Sequence, residues 1–590
     1  MNFNTIFTKL SLLRTKIQPK HFVLFLSLVV GLLSGLAVVV IKNSVHFIQN
    51  LLTLSLVKDY QNYLFFVYPF IGLLLTTLFI KFVIKKPIGH GIPNTLFAIS
   101  RNNSVIKAYN MFASIVASAF TVGFGGSVGL EGPTVSTNSA IGSNIAQLFK
   151  VDYKTATLLV GCGAAGAMSG IFNAPIAALV FVLEVFMFDL SLASMIPFLM
   201  ASVSAALSSR MVLGNNVLFD VKIHDAFVAS EFPYFILLGI FTGLISVYFN
   251  KMFWLVEGVF EKIKQQKYRL IIGGVLLGGL IFLVPPLYGE GFETITALLK
   301  GDFKQVVDHS LFFDKKEDIL IVLGLLFGII FLKVIASAIT FGAGGIGGVF
   351  APSLFMGATS GFVFAKTLNI FRDSNLSETN FTLVGMAGLI AGVLHAPLTS
   401  LFLIAEITKG YELIIPLMIT AAIAYLTSKY FVPYSVYTMQ LAKRGQLITR
   451  HKDKAVLTLM KLHTEVEKDF NNINPSANLG DLVKIVSKSK RNLFPVVDES
   501  GILHGIITLD DIREIMFKPE MYNSTSVKSL MIIPQTYVHL SDNMDVVMQK
   551  FSKSKAWNLP VIDGNKYVGF VSKSKLFNAY RKLLVEFSEE

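Results

Sequence analysis

An all-α polytopic membrane domain built on an internal repeat, followed by a small tandem α/β module, is the fold class that this 590-residue sequence predicts. Three observations carry it. The composition is 53% hydrophobic and only 15% charged, where a soluble domain carries about 25% charge. With a mean hydropathy of +0.62, lipid must take up apolar surface that soluble cores could not hide. Glycine- and proline-interrupted motifs recur in one order in two halves of the apolar region. Beyond a basic stretch the composition turns ordinary, and short strand and helix patterns begin.

Basic residues Lys9, Arg14, Lys16 and Lys20 precede the first apolar run, Phe22 to Ile41. Its 20 uncharged residues exceed the roughly 7–15 of a signal-peptide core and suit a membrane helix. Further runs are Tyr63 to Ile80, Phe232 to Asn250 and Leu270 to Tyr288. The net charge of +13 follows the flanks of these runs. It reads as positive-inside topology rather than a nucleic-acid surface. Residues 1–21 are expected in the cytoplasm, 22–440 in the bilayer, 441–454 as a basic linker and 455–590 again in the cytoplasm. The single cysteine, Cys162, forbids an intrachain disulfide and offers no soft-ligand cluster for a metal.

The repeat is read directly. Residues 125–134, GGSVGLEGPT, parallel residues 344–353, GGIGGVFAPS, without a gap. Residues 170–175, GIFNAP, match 392–397, GVLHAP, and Glu184 follows its proline at the spacing by which Glu406 follows its own. Gly89-His90-Gly91-Ile92 has a weaker echo in Gly289-Glu290-Gly291-Phe292. Residues 121–170 alone hold 10 glycines, and such broken helices are tolerated at membrane depth only where they line a cavity or are buried in protein. Paired breaks in two halves point to a transporter-type fold with a site near the midplane.

Proline suits the first turn of a helix, so Gly89–Pro93, Gly129–Pro133 and Gly348–Pro352 read as helix starts. Their unpaired amides and positive dipole ends form an anion site without a full cationic charge. Partial charges suit permeation because they bind chloride and release it. Glu131 lies inside one such start. A carboxylate competes with a halide for the same donors, which makes Glu131 a candidate gate; the plainer reading is an N-terminal acid offsetting the dipole. Glu184 and Glu406 occupy equivalent places and read as structural hydrogen-bonding residues.

With these residues in view, the chain resembles the CLC family of chloride channels and chloride/proton exchangers that carry a C-terminal pair of CBS domains. GHGIP at 89–93 is similar to the family's GSGIP, GLEGP at 129–133 to GREGP, and GVFAP at 348–352 to GxFxP. The resemblance implies inverted repeats, about 22–211 and 232–440, and a homodimer with one independent pore per subunit. It implies an anion site at His90, Gly91, Ile92, Gly129, Gly132, Gly348, Val349 and Phe350, completed by a tyrosine hydroxyl, from Tyr437 or alternatively Tyr434. A bacterial-type plasma or inner membrane is the expected location. Chloride is the permeant ion and no cofactor is required.

Three departures bear on mechanism. His90 replaces the usual serine, so a ring or backbone N–H must substitute, or the ring faces away. Leu130 replaces the arginine of GREGP, which spares the backbone donors, while Pro133 separates the chain from the fluoride-exporting branch. In many exchangers the glutamate matching Glu184 is followed by a second that carries protons; here Val185 follows. An alkyl group relays no proton. The reading is therefore a gated chloride channel, with a chloride/proton antiporter using another internal proton route as the alternative.

The C-terminal copies match as PVVD at 495–498 with PVID at 560–563, which divides the module at about 455–518 and 525–590. CBS pairs form clefts for adenine nucleotides, and Thr508 and Asp511 are the candidates for phosphate and ribose. An enzyme reading fails because no nucleophile elbow, Walker pattern or metal cluster appears. A CBS-regulated metal-ion transporter is the remaining rival, but it would need grouped ligands within the spans.

Overall fold

Proline and glycine decide where the helices begin and end in the computed structural model, which describes residues 18–52, 61–89, 91–188, 191–214, 219, 228–307, 317–372, 374–443, 460 and 462–588. The chain divides into two units, Met1–Leu447 and Ile448–Glu590. In the first, the helices Pro175–Val185 and Pro397–Ile407 both open on proline. The helices before them, Tyr153–Phe172 and Glu378–Leu394, close on Asn173 and His395 in the left-handed region, at φ 55° and 57°. Gly125 and Gly344 share φ near 90–100°, and Gly91 and Gly291 both take positive φ. The weak 89–92 echo thus shares a left-handed glycine with its partner at this one position.

Among the described residues, nine helices are long and apolar enough to cross a membrane. The expected runs are present with shifted ends. The first helix spans Pro19–Leu52 and passes Ile41 without a break, since lysine at 42 is a good helix former; its Nζ donates to the Ile171 carbonyl at 2.7 Å. The Phe232 helix runs on to Lys262. The Leu270 run stops at Leu283, where the two prolines at 285 and 286 open a 3-10 turn and deny the helix its next amides. The Tyr63 run is the helix Gln61–Leu78 continued by a π turn, Phe79–Ile84.

The two halves hold each other at helix starts. Glu406 accepts from the Ile176 and Ala177 amides at 3.1 and 2.8 Å. Glu184 accepts from the Leu398 and Thr399 amides at 3.0 and 2.7 Å and from the Thr399 hydroxyl at 2.7 Å. Each glutamate caps the other repeat's helix, satisfying orphan amides that lipid cannot. Elsewhere backbones touch: a Cβ on Gly361 would lie 1.9 Å from the Phe381 carbonyl oxygen, the close approach that small residues permit between membrane helices.

In the second unit, strands Leu493–Val497 and Leu503–Thr508 pair antiparallel. Val538–His539, Asn558–Asp563 and Lys566–Ser572 form a three-stranded sheet, the first pair parallel and the second antiparallel. The register slips at Val496/Val497 in one copy and Val561/Ile562 in the other, the same place in PVVD and PVID. Each copy has its own core, around Phe494 and Ile507 and around Val561 and Val571. Most of the expected N-terminal segment and of the 441–454 linker lies outside the described residues.

Candidate anion-binding site

The site is built where the two repeats meet. The loops before the Glu131–Leu148 and Phe350–Arg372 helices lie antiparallel, with the Gly129 amide donating to the Gly348 carbonyl at 2.8 Å and the Gly348 amide to the Gly129 carbonyl at 2.7 Å. Matching threonines brace them across the repeat. Thr121 Oγ1 accepts from the Ile346 amide at 3.1 Å, and Thr340 Oγ1 from the Ser127 amide at 3.3 Å. The Gly91–Arg101 helix joins from the side. A Cβ on Gly91 would sit 2.7 Å from the Gly132 carbonyl oxygen, and one on Gly348 would sit 2.7 Å from the Gly132 nitrogen. Only glycine lets the three helix starts come this close.

Around them is a cavity of about 40 Å³, lined by Gly91, Ile92, Gly132, Gly348, Val349 and Tyr437 among others. That is room for a few water-sized bodies, at roughly 10–15 Å³ each. The amides of Ile92, Gly132, Val349 and Phe350 make no backbone hydrogen bond among the described residues. The buried Tyr437 hydroxyl has no partner either. Tyr434 is 39% exposed and lies off the cavity. The expected role of Gly129 and Gly348 as donors is corrected, because their amide hydrogens are spent on each other; the amide of Gly91 likewise goes to the Gly89 carbonyl at 3.0 Å. These glycines bring the three helix starts together, and their own amide hydrogens are taken up by backbone carbonyls. Phe350 turns its ring away onto Phe172, centroids 5.3 Å apart, so it contributes backbone alone. His90 lies outside the described residues.

The Glu131 side chain is fully buried and folds over the bridge, its Oε2 2.1 Å from where a Gly129 Cβ would stand and 3.5 Å from that of Gly348. It faces the Ala351 amide, at the first turn of the Phe350 helix, yet neither oxygen completes a hydrogen bond. One residue earlier, the Leu130 amide donates to Glu290 Oε1 at 3.2 Å. Fully buried Lys333 donates to the carbonyls of Leu287 at 3.3 Å and Gly289 at 2.9 Å, and its ammonium lies over the Phe355 ring. Full charges therefore stand near Glu131, although no lysine or arginine is among the described residues that line the cavity. The sequence reading missed Lys42, Lys333 and Glu257, the last of which lines the cavity. Each is a single charge in an apolar run, with no motif to mark it. Glu290 was visible only as an odd residue in the weakest echo.

In the second unit, Thr508 and Asp511 satisfy each other. The Thr508 amide and hydroxyl donate to Asp511 Oδ2 at 2.8 and 2.7 Å, and the Asp511 amide returns a bond to Thr508 Oγ1 at 3.3 Å. This is a capping box on the short helix Leu509–Ile512.

The sequence profile described as voltage gated chloride channel matches residues 71–429, and the CBS domain profile matches 465–518 and 527–582. The chain belongs to the CLC family of voltage-gated chloride channels. Similar CLC proteins include the H(+)/Cl(-) exchange transporter ClcA of Vibrio cholerae serotype O1, 28% identical over 442 residues that cover 72% of this chain and 90% of the relative. ClcA of Vibrio campbellii is 29% identical over the same coverage. Among solved structures, a slow cyanobacterial Cl-/H+ antiporter shares 22% identity at a TM-score of 0.62, covering 72% of this chain and 98% of its own. A eukaryotic CLC transporter shares 17% at 0.61, covering 94% and 97%. These two establish the fold. This CLC chain is thus a multi-pass integral membrane protein of an anion-transporting family, carrying two CBS domains.

Proposed function

We propose that this CLC protein exchanges chloride for protons, and that both ions pass through the place held by Glu131. The observation that carries the reading is the position of that side chain across the Gly129–Gly348 bridge, facing the start of the Phe350 helix. Each helix start there carries roughly half an elementary positive charge, so a carboxylate and a chloride ion compete for it. A buried carboxylate without hydrogen bonds is costly. It is displaced by chloride or takes up a proton and leaves, which ties one ion's passage to the other's. Chloride is held meanwhile by the free amides of Ile92, Gly132, Val349 and Phe350 and by the Tyr437 hydroxyl.

The gated-channel reading drawn from Val185 gives way. The ClcA relatives carry exchange in their names, and a missing acid at one position leaves other proton routes open. The family match also displaces the metal-ion transporter reading. We further propose a homodimer with one pathway per subunit, in a bacterial-type inner membrane, with both termini in the cytoplasm as the basic flanks suggest. An adenine nucleotide at the CBS pair would have to engage Thr508 and Asp511 from outside their capping box. Full-length protein in liposomes tests the main proposal. A chloride gradient is expected to drive protons uphill in the wild type and not in Glu131→Ala, which still passes chloride. Chloride flux without proton movement in the wild type would return the channel.

A further inference from the structure

Exchange requires a proton to reach Glu131 from both faces of the membrane, and the cavity holds a group suited to one of them. Glu257 is a buried residue of the Phe232–Lys262 helix and lines the same cavity as Gly348 and Tyr437. Gly348 forms part of that wall, and the Glu131 carboxylate rests against Gly348. The cavity therefore reaches from Glu257 to the glycine against which the Glu131 carboxylate lies. Among the described lining residues Glu257 is the carboxyl group; the others offer amides, an indole, a phenol and apolar surface.

Its side of the membrane follows from charge. Glu257 stands shortly before Lys262, with Lys264 and Lys267 beyond, and the lining residue Gln440 stands shortly before Lys443. Basic flanks at both segments mark the cytoplasmic face. An acid within a membrane helix is expensive and marks an ion or proton path.

Resting on the exchange reading, we propose that Glu257 is the acid that passes protons between the cytoplasmic face and Glu131. The O–H bond of the Glu257 carboxyl breaks and its proton moves through water in the cavity. A new O–H bond forms on the Glu131 carboxylate, and Glu257, now a carboxylate, is reprotonated from the aqueous side. The reverse sequence serves transport in the other direction.

Full-length Glu257→Gln and Glu257→Asp in liposomes test this by the ratio of proton to chloride flux. In Glu257→Gln the ratio is expected to fall roughly tenfold or more, the scale on which a positioned acid or base acts, while chloride still crosses. Glu257→Asp should recover much of the ratio. A merely structural role would lower both fluxes in step and keep the ratio, which would overturn the proposal. If the wild type couples protons and Glu257→Gln couples them equally, this proposal alone falls. If the wild type moves no protons, the exchange reading falls and takes it along.

Discussion

Tyr437 shows what single residues do in this site. Its hydroxyl is buried, unpartnered and set on the cavity wall, a state that normally costs stability unless a ligand completes it. Tyr437→Phe removes one hydrogen bond to an anion, worth about 1.5–3 kcal/mol, which is roughly tenfold or more in Kd. Calorimetric titration of the solubilised protein with chloride should read that loss; an unchanged Kd would remove Tyr437 from the site. The sequence marked Tyr437 only through family spacing and left Tyr434 open, because both lie in one short segment and nothing local distinguishes them. Burial decides. Glu131, by contrast, was legible, since a carboxylate in a glycine–proline helix start is rare enough to carry meaning alone. The lysines and Glu257 were not, because a lone charge in an apolar helix finds its partner or its cavity only after distant segments pack.

Helices and loops account for more of the molecule, and more of them could be read in advance. Gly-Pro breaks located the three converging helix starts and the repeat, because φ preferences and missing amides act locally. An uncharged run does not mark a helix end: the first helix continues past Ile41 to Leu52, and the charge at Lys42 is met by the Ile171 carbonyl. The exchange of caps between Glu184 and Glu406 belongs to this scale. Glu406→Ala strips the Ile176 and Ala177 amides of charged acceptors worth about 1.5–3 kcal/mol each in favourable settings. Its unfolding midpoint in detergent should fall clearly below that of the wild type, with the same direction for Glu184→Ala. A midpoint that stays put would mean that the caps are replaced by water and contribute nothing.

At the scale of the membrane unit, two similar halves are joined by the Gly129–Gly348 pair, by matching threonines and by exchanged glutamate caps. The asymmetry between them, Glu131 in one start and Phe350 in the other, puts a single carboxylate beside the paired helix starts. Exchange at this place requires that the amides of the helix starts hold the anion and that the carboxylate competes for them. Bromide, a chloride substitute that is visible by anomalous scattering, tests this in crystals of the full chain. The wild type should show bromide in the cavity beside the Val349 amide and the Tyr437 hydroxyl. Glu131→Gln should add a second peak at the Ala351 amide, where the carboxylate had lain. Bromide beside Lys333 or Lys42, with none at the helix starts, would contradict the account.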